Sequence, residues 1–222
     1  MNAAIVLAAG RGKRMGMATP KQFLMLDGEI LLAKTLRAFE ESPEISEIIL
    51  VTGEEWVTYC REEVVAKNAF RKVHKIIVGG ARRHESVYAG LLACPEADYV
   101  LIHDGARPFV TEDIIKRTVE AVYEYKACAV GVPSKDTVKI VDKDGFISST
   151  PLRKNVWNIQ TPQAFEYPLI RAAYEIAKDS EMEHITDDAM VVEGTRLSRV
   201  KVIMGAYENI KITTPDDLKG RL

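Results

Sequence analysis

A chain of 222 residues with 47% hydrophobic content can bury one sizeable core, and it is short for two. Lysine and arginine number 30 against 32 acidic residues, and the net charge of −2 excludes the global basic field that would draw nucleic acid. No apolar run approaches a membrane span, and Met1 leads into an apolar segment without a leader pattern; the three scattered cysteines, Cys60, Cys94 and Cys128, read as buried thiols, so the expectation is a cytoplasmic protein off the membrane.

In chain order, short apolar runs predict strands at Ala4–Leu7, Glu47–Thr52, Val73–Val78, Tyr99–His103 and Cys128–Val132. Helical patterns fall between them, at Ile30–Glu41, Glu54–Phe70, His84–Cys94 and Thr111–Lys126. The last opens on Thr111-Glu112-Asp113, a cap residue followed by an acidic first turn. Strands alternating with helices imply an α/β fold of Rossmann-like type, a doubly wound and mostly parallel sheet. Residues 135–158 interrupt this rhythm. Asp136–Val141 alternates polar and apolar, Asp144-Gly145 turns, and Phe146–Thr150 returns, which reads as an inserted β-hairpin arm. Such an arm covers an edge, forms a lid or reaches a partner subunit. Beyond it lie predicted helices at Pro168–Lys178 and Asp187–Val192 and strands at Val200–Met204 and Ile210–Thr213. No composition shift marks a boundary, so residues 1–222 read as one domain.

The first strand breaks into Ala8-Ala9-Gly10-Arg11-Gly12-Lys13-Arg14, and Pro20-Lys21-Gln22 follows. Glycine lets backbone N–H groups approach an anion closely, and Arg11, Lys13, Arg14 and Lys21 add charge-assisted donors. A glycine-rich, cationic loop at a strand's carboxyl end suits a polyphosphate, most simply a nucleoside triphosphate, although a solvated basic loop has the same composition. No G-x-x-x-x-G-K-[ST] string occurs, and Gly16 falls one residue late for a dinucleotide fingerprint, with Arg14 inside the spacing.

Other strings carry two readings each. His103-Asp104-Gly105-Ala106-Arg107-Pro108 follows the fourth predicted strand. Asp104 there either meets a divalent cation or a ribose, or pairs with Arg107 to fix the loop. Gly79-Gly80 and Ser86 read as close-approach and hydrogen-bonding groups for a ligand, while Arg82, Arg83 and His84 read as turn and helix-start chemistry. Thr161-Pro162-Gln163 and Thr186-Asp187-Asp188 read first as helix N-termini. Asn209, Lys211 and Thr213 share one face of the last predicted strand, where an edge lysine ordinarily discourages pairing. With four histidines and no Ser-His-Asp, Cys-His, H-E-x-x-H or CxxC arrangement, acid–base and covalent mechanisms have little support; fixed cations stabilising an anion have more.

In this order, Leu7-Ala8-Ala9-Gly10-x-Gly12-x-Arg14-Met15, Pro20-Lys21-Gln22, Gly79-Gly80, Arg83, Ser86-Val87, His103-Asp104-x-Ala106-Arg107-Pro108, Asp136-Thr137, Thr161-Pro162-Gln163, Thr186-Asp187 and Asn209-Ile210-Lys211-Ile212-Thr213 resemble the 2-C-methyl-D-erythritol 4-phosphate cytidylyltransferases of non-mevalonate isoprenoid synthesis. The first motif is widespread among sugar nucleotidyltransferases; its combination with HD-x-ARP and NIK-x-T is far more specific. The resemblance implies CMP transfer from CTP to methylerythritol phosphate, with Mg²⁺ held mainly by the CTP phosphates and a homodimer built through the hairpin. It implies Arg14, Lys21, Arg153 and Lys211 as catalytic cations. It implies nucleotide contacts from Ala8, Ala9, Gly10, Gly12, Gly80, Ser86 and Asp104, with Asp104 also the candidate metal ligand. It implies substrate contacts from Arg107, Thr137, Arg153, Thr161, Thr186, Asp187 and Lys211, with Thr137 and Arg153 reaching a neighbouring subunit's site. Ala81-Arg82 departs from the family's more polar loop. The rival readings are a ribitol 5-phosphate cytidylyltransferase and a non-catalytic CTP sensor; the glycine spacing disfavours an NAD-binding oxidoreductase.

Overall fold

A seven-stranded sheet carries the molecule in a computed structural model that describes residues 1–10, 19–178 and 184–218. Strand β1 is Asn2–Ala8. A small hairpin, β2 (Met25–Leu26) and β3 (Glu29–Ile30), leads to α1 (Leu31–Glu41) and β4 (Glu47–Thr52). A 3₁₀ turn and the short α2 (Val57–Tyr59) then run into a π-wound stretch, Cys60–Ala66. There follow β5 (Val73–Val78), α3 (Arg83–Ala93), β6 (Tyr99–Asp104), α4 (Glu112–Tyr125) and β7 (Ala127–Pro133). The arm holds β8 (Ile140–Val141) and β9 (Ile147–Ser149); β10 (Trp157–Glu166), α5 (Tyr167–Ala177), α6 (Asp188–Thr195) and β11 (Lys201–Met204) complete the order.

The sheet runs β11-β7-β10-β6-β1-β4-β5, parallel throughout except for β10, which lies antiparallel between β6 and β7. Both faces are covered, so the inner strands are apolar without alternation: every residue of β4 is buried. Period-two geometry sends Ala4, Val6 and Ala8 to the face packed by Leu36 and Phe39 of α1 and Val119 of α4. Ala3 and Ile5 go to the other, against Val87 and Leu91 of α3 and Ile170 of α5. Register pairs Ala8 with Thr52, Thr52 with Val78, and Leu7 with Asp104. Four parallel strands therefore end level, and their loops leave from one edge.

Most predicted elements stand within a residue or two of their expected bounds, and the doubly wound, mostly parallel fold is borne out. Thr111 caps α4, accepting from the Ile114 N–H at 3.3 Å, and Asp187 caps α6, accepting from the Met190 N–H at 3.0 Å. Three readings change. Thr161-Pro162-Gln163 is not a helix start but the middle of β10; Pro162, lacking an N–H, sits where the pairing with β7 shifts register between Ile159 and Gln163. Residues 210–213 form no strand: Ile212 donates one bond to Ala106 O at 2.8 Å, and no partner ladder exists for the rest. The arm's ladder is shorter than its alternation implied, since only Ile140–Val141 pairs with Ile147–Ser149. Its turn is held instead by Asp142, which accepts from the N–H groups of Asp144 and Phe146 at 3.0 and 2.9 Å. The β2–β3 hairpin was legible in principle, because Asp27 and Gly28 both take the positive φ that a two-residue Asp-Gly turn requires.

Candidate functional site

At the level ends of β1, β4, β5 and β6 lies a cleft of about 740 Å³. Of the sequence candidates it gathers Ala8, Ala9, Gly10, Lys21, Gly80, Ser86, Asp104 and Lys211 on one wall-to-wall surface. Arg14 and Gly12 lie outside the described residues, as do Arg11 and Lys13.

One side of the cleft is glycine by necessity. A Cβ on Gly79 would stand 2.6 Å from Ser86 Oγ and 2.8 Å from Ala9 Cβ, so a side chain there would force the β1 and β5 loops apart. Ser86 Oγ accepts from the Gly80 N–H at 3.1 Å, and Glu85 accepts from the Ala81 N–H at 2.8 Å. The loop between β5 and α3 is thus held by the first turn of its own helix.

The opposite side is built around Asp104. Its carboxylate meets Lys211 Nζ at 2.9 Å, Arg107 Nε at 3.4 Å and Arg83 Nε at 3.8 Å. Burial alone would push this carboxyl up, but Lys211, Arg83 and Arg107 outweigh it and hold it well below the usual carboxylate range. Arg83 in turn forks onto Asp188, at 2.9 and 2.7 Å, and the fully buried Asp188 also accepts from Tyr174 OH at 2.7 Å. Burial would depress the Arg83 guanidinium; Asp188 and Asp104 overcome that and raise it. Arg83 therefore combines the helix-start role read from sequence with a place in the cleft wall.

Strand β10 supports this cluster from below. Thr161 Oγ1 accepts from the Asp104 N–H at 3.1 Å and lies 3.0 Å from His103 Nδ1, while His103 Nε2 lies 3.2 Å from Arg107 O. A carbonyl only accepts, so Nε2 carries the proton and Nδ1 receives the Thr161 hydroxyl. Burial drives His103 down to about 4 and keeps it neutral. Gln163 Oε1 accepts from the N–H groups of Asp188 and Ala189, at 3.0 and 2.9 Å, fixing the start of α6. Asn209 donates to Thr161 O at 2.9 Å and receives Arg107 Nη1 on its own carbonyl at 2.9 Å, which places Lys211 over Asp104.

The remaining candidates sit elsewhere. Thr161 and Arg107 are framework beneath the cleft, Asp187 caps α6, and Thr186 Oγ1 bonds Met190 Sδ. Thr137 and Arg153 are exposed on the arm, with Arg153 Nη1 3.5 Å from Lys135 O. Sequence reasoning missed Gln22, Glu54 and Glu55 in the cleft wall and Asp188, Tyr174 and Gln163 behind it. Gln22 had a signal in its place beside Lys21, and Gln163 and Asp188 lay in strings read as helix starts; Glu54, Glu55 and Tyr174 had none. Among the described residues no three acidic, histidine or cysteine side chains gather as a metal site, and the three cations around Asp104 leave that carboxylate poorly fitted to hold a resident ion.

A sequence model of the family IspD, 2-C-methyl-D-erythritol 4-phosphate cytidylyltransferase, matches residues 2–220. The chain belongs to this family. It is a cytidylyltransferase. Its similarity to the family's enzyme from Geobacter metallireducens is 50% identity, covering 97% of this chain and 93% of that one. To the enzyme from Lachnospira eligens it is 47%, covering 99% and 96%. The crystal structure of 4-diphosphocytidyl-2C-methyl-D-erythritol synthase from Anaerococcus prevotii superposes with a TM-score of 0.87 at 38% identity, covering 98% of this chain and 92% of that one. The Francisella tularensis cytidylyltransferase gives 0.78 at 30%, covering 98% and 96%.

Proposed function

We propose that the cleft transfers CMP from CTP to 2-C-methyl-D-erythritol 4-phosphate, releasing pyrophosphate. The observation that carries this reading is the placement of Lys21 and Lys211 in the same cleft as the glycine-built walls at Gly10 and Gly79-Gly80. A nucleotide lies along those walls, with the base toward Ser86 and the triphosphate toward Lys21 and Lys211. A phosphate oxygen of the alcohol phosphate attacks the α-phosphorus; that P–O bond forms as the bond to the β-phosphate oxygen breaks, and pyrophosphate leaves. A phosphate monoester is largely dianionic near neutral pH and needs no general base. That fits a site whose one buried histidine is locked neutral in the framework. The barrier is the meeting of two anions, which fixed cations lower by offsetting charge and aligning attack. Lys21, Lys211 and, from the loop outside the described residues, Arg14 take that role. A divalent cation such as Mg²⁺ arrives with the triphosphate and supplies further charge neutralisation.

The arm completes the reading. Ile140, Val141, Phe146, Ile147 and Leu152 are all more than half exposed, an apolar surface that water leaves unsatisfied and a second copy would cover. Arg153, at the arm's root, then serves the site of the neighbouring subunit in a homodimer. Cys60, Cys94 and Cys128 are free and buried, which suits the reducing cytoplasm. No described helix is long and apolar enough to cross a membrane.

Pyrophosphate release, followed with each of four nucleoside triphosphates and with methylerythritol phosphate or ribitol 5-phosphate as acceptor, tests the reaction. Turnover is expected with CTP and methylerythritol phosphate. Preference for ribitol phosphate, or CTP binding without release under either acceptor, would overturn it.

A further inference from the structure

The chain leaves β1 at Ala8–Gly10 and returns through Pro20 into a 3₁₀ turn, Lys21–Phe23. One side chain joins the departure to the return. Gln22 is 3% exposed, and its Nε2 donates to Ala8 O at 2.7 Å and to Gly10 O at 3.0 Å. An amide nitrogen has two N–H groups, so both are used. A carboxylate of the same size has none, and would set its charge against two carbonyl oxygens. Next in the chain, Phe23 is 5% exposed and packs on Trp56 and Tyr59 with ring centroids 4.6 and 5.1 Å away. The turn itself is closed by Phe23 N–H to Pro20 O at 2.9 Å and Leu24 N–H to Lys21 O at 3.1 Å.

Lys21 therefore stands on a backbone held from three directions: the turn, the aromatic cluster and the Gln22 clip. The aromatic cluster fixes the turn against Trp56 and α2, and Gln22 ties it to the β1 loop that walls the cleft. A lysine side chain has many rotamers, and its reach into the site is set by where its backbone is fixed. We propose that Gln22 is a positioning residue for the transfer, holding Lys21 in register with the Ala8–Gly10 wall so that its ammonium meets the α-phosphate in the transition state. This rests on the cytidylyltransferase reading of the cleft, which wild-type turnover tests by itself.

The experiment is a double-mutant cycle in the full-length enzyme, with steady-state pyrophosphate release from CTP and methylerythritol phosphate, each rate normalised to the folded fraction. Gln22→Met keeps the volume and removes both donors; Gln22→Asn keeps an amide but is a methylene too short to bridge both carbonyls. Either variant is expected to lower kcat by about 10- to 100-fold, the scale that a misplacement of roughly 1 Å costs a positioned catalytic group, with the KM for CTP moving far less. In a Lys21→Ala background the same substitution is expected to change kcat less than about 3-fold, because the group it positions is gone. Equal losses in the two backgrounds, a loss confined to KM or to thermal stability, or no loss at all would overturn the proposal. If Gln22→Met does not fold, Gln22→Asn carries the cycle; an inactive wild type would instead count against the reaction assigned to the cleft.

Discussion

The cleft wall and the arm are built by opposite means. Around Asp104, polar side chains are buried and interlocked: three cations on one carboxylate, a bidentate Arg83–Asp188 pair, and a neutral histidine with both nitrogens engaged. On the arm, large apolar side chains stand in solvent and the ladder is two short strands, with Asp142 holding the turn. Buried charge that is fully partnered is rigid, and removing one partner is costly. Exposed apolar surface contributes nothing to the monomer until something covers it. The cleft wall is thus preorganised by contacts within one chain, whereas the arm leaves apolar surface uncovered, the surface that the proposed second copy would cover.

The sharpest way to break this contrast is Asp188→Ala, which leaves the Arg83 guanidinium without its fork. A loss of about 4 kcal/mol in urea-unfolding stability is expected, as for other buried ion pairs cut on one side. A loss within about 1 kcal/mol would show that the cluster is not the rigid unit described.

Acid probes the same cluster through His103. Its folded value, about 4, lies below the 6.5 of a free imidazole. Between those values the unfolded chain takes up a proton that the folded one refuses, so stability falls as pH drops from about 6.5 to 4, by on the order of 3 kcal/mol from this residue. Asp104, held low in the fold, stabilises above the ordinary carboxylate range, and that contribution is lost only at more acid pH, as the solution approaches its folded value. Urea titrations at pH 7 and 4.5 are expected to show a larger drop for the wild type than for His103→Gln; equal drops would contradict the buried neutral assignment.

A smaller effect is expected from Tyr174→Phe, which removes one hydrogen bond to the Asp188 carboxylate and leaves the Arg83 fork in place. About 2 kcal/mol is the scale for such a charged-group bond, measured by thermal unfolding. The arm should give the smallest change in folding and the largest in assembly. Phe146→Ser with Ile147→Ser is expected to alter the monomer's stability by less than about 0.5 kcal/mol while abolishing, in sedimentation, the homodimer we propose. A variant that stays dimeric and fully active would remove the arm from the interface.

The same contrast explains what could be read from the sequence. β4 and β5 were legible to the residue: in β4 every position is buried, and β5, at the sheet edge, keeps the β-branched Val73 and Ile76–Val78 around its polar His74 and Lys75. The loops after β1, β5 and β6 carry the glycines and charged residues in recognisable strings, so much of the cleft was legible too. β10 was not. It is a central strand, yet Asn158, Gln160, Thr161, Pro162 and Gln163 make it look like a loop or a helix start. Three of those side chains, Gln160, Thr161 and Gln163, hold Asn209, the Asp104 N–H and the start of α6 by hydrogen bonds. Asp188 and Tyr174 were invisible for a related reason. Their partner, Arg83, is remote in the chain, and only the packing of α3 against α5 and α6 brings the three together.

The central claim is that fixed cations in the cleft, with no acid–base group, run the transfer. Lys21→Ala tests it most directly, by pyrophosphate release from CTP and methylerythritol phosphate with both substrates saturating. The account predicts that turnover falls by about two orders of magnitude or more, equivalent to roughly 3 kcal/mol of transition-state stabilisation, in a protein that folds and unfolds like the wild type. Turnover near that of the wild type would contradict it.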